Sequence, residues 1–339
     1  MNSKINEIIS TLTNKRNRNI AIAMHNNPDG DAIGSAVALE KTLLKLNKNV
    51  DIILQNRISP CYSKIIGEKR VNKIYLPPMG RIYDVLIIVD CSDPNRTIDN
   101  IRRMAKFVIV IDHHFGAKPF GNIHHCEKAA STGIIIYNII KRIVSIDEDI
   151  ANALYLTIRS DTGSFKNSNT DVRAHEIAGE LIFKGANINL INEIYENKTL
   201  SFIKLLGNTL ADICYDQQYK ITHLSVRYEQ IKKSNSNYEE ASMLIDYIRG
   251  VNNSDITFLF IESNDTVRIK ARSRYTNVAE ILSNFNGGGH PTAAGAIVCG
   301  DDVYSVSDKI IKYTKEYINN NQHERMINDG NGKEMEGTK

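Results

Sequence analysis

Strong net charge, long apolar runs and paired cysteines are what this sequence lacks. The 42 basic and 39 acidic residues leave a net charge of +3, which gives little long-range attraction for a long nucleic acid. No apolar run approaches the roughly 20 residues that span a bilayer, and the first residues lack the apolar segment of a signal peptide. The five cysteines are scattered without a CxxC pair, which is typical of reduced thiols. We therefore expect a cytoplasmic protein that binds neither membranes nor long nucleic acids.

Two nucleotide-binding signatures are absent as well. The sequence contains no GxxxxGK[ST] loop, so an ATPase is unsupported, and no GxGxxG opens the first helix after a strand. A dinucleotide-dependent redox enzyme is therefore disfavoured. What is present, 42% hydrophobic residues in a chain of 339, is enough apolar material for the cores of two domains.

Short apolar strands alternate with helical patterns over the first half of the chain. The segments NIAIAM, VDIIL, DVLIIVD and FVIVID are typical of parallel strands covered on both faces. Their alternation with helices predicts an α/β domain with a doubly wound, mainly parallel sheet over residues 1–185. A helical linker over 186–212, a smaller mixed α/β domain over 213–319 and a disordered tail over 320–339 are predicted to follow.

Acidic and imidazole side chains stand where three of the predicted strands end. His25 follows NIAIAM, Asp90 closes DVLIIVD, and Asp112 closes FVIVID with His113 and His114 directly after it. Because the carboxyl ends of parallel strands meet at one edge of a sheet, we expect these groups to lie close together.

Three further carboxylates belong to neighbouring loops. Asp29 and Asp31 flank a turn that Pro28 and Gly30 are predicted to form, and Asp161 stands in the segment SDTGSF. So many acidic groups at one edge would repel one another unless cations compensate them, and few basic residues are near in sequence. A divalent metal site is therefore predicted.

The predicted ligand set also constrains the metal. Carboxylates with a few imidazoles and no cysteine favour Mn²⁺, with Mg²⁺, Co²⁺ or Fe²⁺ as alternatives. There are more ligands than one ion needs, which indicates two ions. Two ions about 3.5–4 Å apart can activate water and hold a phosphoryl group for in-line attack, so a phosphate ester is the expected substrate.

A second group of residues indicates an anion clamp. The segment FNGGGHPTAAGA contains three consecutive glycines, which predict a nest of backbone amides, followed by His290. In the preceding VRIKARSR, the period of a strand places Arg268, Lys270, Arg272 and Arg274 on one face. Together these features predict a site for a phosphate or a carboxylate.

These motifs resemble those of a known enzyme family. HNNPDGDAIGS, VDCSD, DHH and SDTGSF, in that order, are similar to the four motifs of the DHH phosphoesterase superfamily. The stretch RSR…NVAEILSNFNGGGHPTAAG resembles its companion DHHA1 domain. The length and domain order resemble the short, stand-alone bacterial subgroup that contains nanoRNase/pAp phosphatases and cyclic di-AMP phosphodiesterases.

The resemblance implies a site with two Mn²⁺ ions in the cleft between the two domains, with Asp90 bridging the ions. The other implied ligands are His25 and Asp29 for one ion, and Asp31, His113 and Asp161 for the other. Asp112 is implied to orient the adjacent imidazoles, and His114 to face the scissile phosphate. Phe115 departs from the small or polar residue that relatives often have after DHH. The implied substrate-binding residues are Arg272, Ser273, Gly288, Gly289 and His290.

By this resemblance the protein is a metal-dependent phosphodiesterase, exoribonuclease-like, that cleaves short oligoribonucleotides (nanoRNA) and linear or cyclic dinucleotides (pApA, cyclic di-AMP) to mononucleotides. Phosphatase action on 3′-phosphoadenosine 5′-phosphate (pAp), a non-catalytic nucleotide- or RNA-binding module, and a homodimer stay open as alternatives or additions. A manganese pyrophosphatase is disfavoured because those enzymes resemble a different second domain without GGGH. A RecJ-type exonuclease is disfavoured because the chain is short for strand-threading domains.

Overall fold

The structure, a computed structural model, describes residues 2–54, 56–71, 76, 80–91, 93–97, 101–114 and 118–331. The chain divides into two compact units, Met1–Asn197 and Lys198–Lys339. Each unit has apolar cores of its own. No helix in the described part of the chain has both the length and the apolar content to cross a bilayer.

The first unit is built on a parallel sheet of five strands, which confirms the predicted α/β fold. The strands are β1 Asn19–Met24, β2 Asn49–Ile53, β3 Tyr83–Val89, β4 Ala105–Asp112 and β5 Ile123–Cys126. Their order across the sheet is β2-β1-β3-β4-β5, and all neighbours are parallel. The helices of this unit are α1 Asn2–Thr13, α2 Gly30–Lys45, α3 Ser63–Ile66, α4 Thr132–Ile140, α5 Glu148–Asp161, α6 Val172–Phe183 and α7 Ile188–Glu196.

Strand β1 shows why the sheet strands are continuously apolar. Ile20 and Ile22 pack into the larger core with the helices, whereas Ala21 and Ala23 face a smaller core on the opposite side. Since successive side chains of a strand point to opposite faces, a strand covered on both sides needs an apolar residue at every position. Polar side chains are therefore confined to the strand ends, where the candidate site lies.

The second unit contains a mixed sheet of six strands. These are β6 Cys214–Asp216, β7 Ile221–Val226, β8 Ile256–Ser263, β9 Thr266–Ser273, β10 Gly288–His290 and β11 Ala293–Cys299. The order is β10-β11-β9-β8-β7-β6, with β7 and β8 parallel and the other neighbours antiparallel. The helices are α8 Leu200–Thr209, α9 Tyr228–Lys233, α10 Tyr238–Ser242, α11 Ile245–Ile248, α12 Val278–Ser283 and α13 Val303–Asn331.

The helices of the predicted linker over 186–212 belong to the units themselves. Ile191 and Ile194 of α7 are buried in the core of the first unit, and Phe202 and Leu205 of α8 are buried in a core of the second. Periodicity shows that a helix has an apolar face, but not which core will cover it. The first unit therefore extends to Asn197, past the predicted boundary at residue 185.

The chain end also differs from the prediction of a disordered tail over 320–339. Helix α13 continues without interruption to Asn331, although the sequence beyond residue 319 has little apolar content. The predicted boundary followed the end of the apolar residues, but the backbone hydrogen bonds of a helix do not require apolar side chains. Residues 332–339 lie outside the described residues.

Candidate metal centre

The polar strand ends meet at the point where the sheet order changes direction. The chain runs from β1 outward to β2 and then returns past β1 to β3, and open α/β sheets bind ligands at such a point. His25 directly follows β1, Asp90 directly follows β3, and Asp112 is the last residue of β4. Asp90 has a positive φ of 53°, a conformation that few residues other than glycine, asparagine and aspartate adopt readily.

The loop after His25 differs in detail from the predicted proline–glycine turn. The left-handed residue is Asn27, with φ 56°, and helix α2 already begins at Gly30. Asp29 is the N-cap of α2, and its Oδ1 accepts hydrogen bonds from the amides of Asp31 and Ala32 at 3.0 and 3.2 Å. A Cβ at Gly30 would lie 2.9 Å from Cβ of Ser160, so glycine lets α2 begin against the end of α5.

Asp31 is fixed by the N-terminus of helix α4, a contact that no local sequence pattern predicts. Its carboxylate accepts hydrogen bonds from the amide of Thr132 at 2.7 Å, the amide of Gly133 at 3.1 Å and the hydroxyl of Ser35 at 3.3 Å. The Thr132 hydroxyl also donates to Oδ1 of Asp90 at 3.1 Å. Helix N-termini stabilise negative charge, so α4 holds these two carboxylates in place. The only local feature of the sequence that indicates the start of this helix is the segment STG before an apolar run.

Two histidine rings present the same nitrogen to the carboxylates. Nδ1 of His25 lies 2.8 Å from the carbonyl oxygen of Asn26, and Nδ1 of His113 lies 3.1 Å from that of Ala129. A carbonyl can only accept, so each Nδ1 carries the hydrogen and each Nε2 keeps its lone pair when the ring is neutral. Among the described residues, the buried Nε2 of His113 has no well-directed hydrogen bond. Each ring therefore presents an Nε2 lone pair of the kind that binds metal ions.

The predicted ligands come together in two sets on either side of Asp90. In each set the candidate ligand atoms all lie within 4.8 Å of one another: His25, Asp29 and Asp90 in one, and Asp31, His113 and Asp161 in the other. Nε2 of His113 lies 3.0 Å from Asp161 and 3.6 Å from Asp90, while Nε2 of His25 lies 3.6 Å from Asp90. A third group of this kind contains Asp90, His113 and His114.

The electrostatics of these sets fit a divalent cation. Burial and the charge of Asp90 raise the pKa of Asp31 well above its usual range, and burial raises the pKa of Asp161. Burial lowers the pKa of His113, but the contact with Asp161 outweighs it and raises that pKa to about 9. The protein alone would thus hold protons here, whereas a bound cation compensates the carboxylates directly. The donor set of carboxylates and imidazoles suits such an ion.

The second unit contains a basic groove of about 640 Å³ on one face of its sheet. Val267, Ile269 and Ala271 of β9 point into the core, so the alternate residues face the groove, as the strand period predicts. The groove is lined by Arg268, Lys270, Arg272, Gly288 and Tyr238, among others.

The cations of this groove are close together and partly buried. The guanidinium of Arg268 lies 4.3 Å from the centre of the Tyr238 ring, a cation–π contact. Burial, and secondarily the charge of Arg272, lowers the pKa of Lys270. Such a set of cations is stabilised by an anion, so the groove suits a phosphate group.

The other predicted substrate-binding residues do not line the groove, and Gly288, which does, is not in the predicted conformation. Gly288, Gly289 and His290 form the exposed edge strand β10, paired with β11, instead of the predicted nest of amides in a turn. The hydroxyl of Ser273 is 3.2 Å from Oδ1 of Asp255, which ties it to a turn. Arg274 lies beyond the end of β9 and lines a different cavity.

Comparison with known proteins identifies both units. Residues 19–158 match the DHH family, N-terminal domain, and residues 219–319 match the DHHA1 domain. Together the two matches cover well over half of the chain. The chain belongs to the DHH/DHHA1 phosphoesterase family. It is accordingly a metal-dependent phosphoesterase, with the DHH domain in the first unit and the DHHA1 domain in the second.

Several relatives extend over nearly the whole chain. The bifunctional oligoribonuclease and PAP phosphatase NrnA of Thermus thermophilus is 26% identical over 88% of this chain and 90% of its own length. The cyclic-di-AMP phosphodiesterase GdpP of Bacillus subtilis is 25% identical over 88% of this chain and 48% of its own. An exopolyphosphatase-related protein of Bacteroides fragilis has the same fold, with a TM-score of 0.84 at 23% identity, covering 94% and 97% of the two chains.

The motif that names the DHH domain places its two histidines in different environments. Oδ1 of Asp112 accepts hydrogen bonds at 2.8 Å from Nδ1 of His114 and from the backbone amide of His113. Asp112 therefore orients the ring of His114, whereas the ring of His113 is oriented by the carbonyl of Ala129. The His114 side chain is 47% exposed, so its Nε2 is accessible from outside the ligand sets. Phe115 lies outside the described residues.

Proposed function

We propose that this protein is a Mn²⁺-dependent phosphodiesterase that uses two metal ions to hydrolyse short oligoribonucleotides and linear or cyclic dinucleotides to mononucleotides. The observation that carries the proposal is that Asp90, which belongs to the set of His25 and Asp29, lies 3.6 Å from Nε2 of His113 in the other set. A carboxylate placed between two ligand sets is the arrangement by which a protein holds two cations a few ångströms apart.

In this proposal each ligand set holds one ion, and Asp90 bridges them. When bound, the two ions would supply a nucleophilic water at neutral pH and stabilise charge on the phosphoryl oxygens. Asp29 and Asp31 belong to different sets because their carboxylates have different partners. Asp29 caps α2, whereas Asp31 accepts hydrogen bonds at the N-terminus of α4. The absence of cysteine from both sets favours Mn²⁺ over zinc.

His114 and the basic groove are the proposed substrate contacts. The ring of His114, held by Asp112, would donate from Nε2 to a phosphoryl oxygen. In the DHHA1 domain, Arg268, Lys270 and Arg272 would bind a terminal phosphate, and the Tyr238 ring offers an apolar surface beside them. The named activities of NrnA and GdpP support short or cyclic nucleotides as the class of substrate.

Phosphatase action on pAp is the second candidate. The NrnA relative is named for both oligoribonuclease and PAP phosphatase activities, and it covers 88% of this chain. The same arrangement of charges would serve a phosphomonoester, since both reactions transfer a phosphoryl group to water.

The test is hydrolysis of cyclic di-AMP, pApA, a short RNA and pAp by the purified protein with Mn²⁺, compared as kcat/KM. Asp90→Asn should lower hydrolysis at least about 1,000-fold, because it removes the shared charge, yet asparagine accepts the positive φ at this position. Metal analysis should give two Mn²⁺ per chain for the wild type.

The matched control is Asp84→Asn at the opposite end of the same strand. Asp84 accepts hydrogen bonds from the amides of Arg18 and Asn19 and pairs with Lys106, away from the ligand sets. This variant should keep wild-type activity. Failure of the wild type on all four substrates would reject the proposed function, and robust hydrolysis by Asp90→Asn would reject the two-metal assignment.

A further inference from the structure

A second cavity in the DHHA1 domain is separate from the basic groove. It has a volume of about 520 Å³, within the range of small-molecule sites, and it lies where β9 ends and β7 and β8 begin. Its lining includes Tyr215, Lys220, Asp255, Arg274 and Tyr275. The groove is lined by residues of β9 up to Arg272, so the two sites adjoin along one strand.

The two tyrosines of the second cavity are exposed, although hydrogen bonds hold each of them in position. Tyr275 is 87% exposed, although its amide donates to Oδ1 of Asp255 at 2.8 Å and so holds the turn in place. Tyr215 is 38% exposed, and its hydroxyl donates to the carbonyl of Asn253 at 3.3 Å. A large ring that is this exposed beside a cavity gains stability only when something covers it.

The charges of the second cavity favour an anion. Neither Lys220 nor Arg274 makes an ion pair within the part of the chain that the structure describes. The one carboxylate of the lining, Asp255, accepts four hydrogen bonds: Oδ1 accepts from the hydroxyl of Ser273 and the backbone amides of Arg274 and Tyr275, and Oδ2 accepts from the hydroxyl of Thr276 at 2.6 Å. Among the described lining residues, two cations therefore lack an ion-pair partner, and with a single carboxylate the lining keeps a net positive charge.

We propose that the second cavity binds a nucleotide beyond the first two of a single-stranded RNA whose end occupies the basic groove. Tyrosine rings that stack on bases, together with cations that contact the backbone, are the general means of binding single strands without sequence preference. Arg272 and Arg274 are two residues apart, at most about 7 Å, which is close enough to contact consecutive phosphates of one strand. This inference rests on the proposed function, because it extends the same substrate.

The test compares a dinucleotide, pApA, with a five-nucleotide RNA that has the same 5′ end. Tyr275→Ala and Arg274→Ala should each lower kcat/KM for the longer RNA at least about fivefold and leave the dinucleotide within about twofold. Tyr304→Ala removes another exposed tyrosine, 52% exposed on α13 of the same domain, and should change neither substrate.

Binding of the fluorescent five-nucleotide RNA, measured by anisotropy in EDTA, gives a readout that does not depend on catalysis. Arg274→Ala should reduce the slope of log affinity against log salt by about 0.7, because one phosphate contact is lost. Tyr275→Ala should weaken binding with an unchanged slope.

The possible outcomes separate the two proposals. If both variants bind and cleave the longer RNA as the wild type does, the second cavity is not an RNA site. If they lose the dinucleotide as much as the longer RNA, the residues belong to the first site and the extension is wrong. A wild type that hydrolyses no RNA but binds it in EDTA would reject the proposed function and leave the cavity assignment standing.

Discussion

At the scale of single residues, the candidate metal ligands of the DHH domain are held in place by neighbouring groups. Asp31 is fully buried, yet it accepts two backbone amides and one hydroxyl, which keep its carboxylate in one orientation. Thr132 contacts both Asp31 and Asp90 and so connects the two ligand sets. Groups of this kind commonly change metal affinity by 10–100-fold when they are removed.

We predict that Thr132→Val will weaken metal binding by about 10–100-fold without unfolding the protein. Valine keeps the branched shape and the backbone amide that binds Asp31, but it removes the donor to Asp90. Calorimetric titration with Mn²⁺ measures the change, and saturating metal should restore much of the activity.

The control is Thr42→Val, also buried, whose hydroxyl donates only to the carbonyl of Ala38 within α2. If Thr42→Val weakens metal binding as much as Thr132→Val does, the effect comes from packing and the role of Thr132 is rejected.

At the scale of elements, three helices approach one another closely to bring the ligands together. Helix α2 carries Asp31 in its first turn, α5 ends at Asp161, and α4 supplies amides to Asp31. Gly133, at the second position of α4, faces Thr157 of α5, and a Cβ there would lie 2.5 Å from Cβ of Thr157. The absence of a side chain therefore sets how near the N-terminus of α4 comes to the site.

We predict that Gly133→Ala will destabilise the first unit by about 1–3 kcal/mol, because the added methyl group must push α4 away from α5. Metal affinity should fall as well, since the amides of α4 move away from Asp31. Urea denaturation and Mn²⁺ titration measure the two effects.

Gly179→Ala is the matched control, because Gly179 lies within α6 and an added Cβ meets nothing within 4 Å. Alanine is the better helix former, so this variant should gain up to about 1 kcal/mol and keep its metal affinity. Equal stability of Gly133→Ala and the wild type would show that α4 can shift without cost.

At the scale of the whole molecule, the candidate ligands all lie in the first unit. The second unit has a separate sheet and separate cores, and the groove and the second cavity both lie in it. A ligand that binds only the folded form of one unit stabilises that unit by mass action. Metal should therefore act on the stability of the DHH domain more than on that of the DHHA1 domain.

We predict that EDTA will lower the melting temperature of the first unit by about 10–20 °C relative to protein with Mn²⁺ at 100 times the Kd of each site. This follows from a loss of about 2.7 kcal/mol of stabilisation for each of the two proposed ions. Calorimetry measures the shift, and hydrogen exchange assigns it to segments around His25, Asp90, His113 and Asp161. Equal loss of protection in β7–β9 would contradict a local effect, and Asp90→Asn should show a smaller difference between metal and EDTA.

The sequence by itself determined which strands are parallel and buried and where their polar ends fall. Continuous apolar runs closed by His25, Asp90 and Asp112 were sufficient to predict the sheet and the edge at which the candidate ligands meet, because strand period and burial are local properties. The alternation in β9 likewise predicted the basic face of the groove.

Only the tertiary structure decided how those groups are held. The N-terminus of α4 contacts Asp31 from far along the chain, because Thr132, whose amide makes the hydrogen bond, lies 101 residues after Asp31. Helices α7 and α8, which were predicted to form a linker, pack into the cores of different units. Ser273, predicted to bind substrate, instead donates a hydrogen bond to Asp255. Such contacts depend on how distant apolar faces pack, and no local pattern records which partner a face or a helix end will meet.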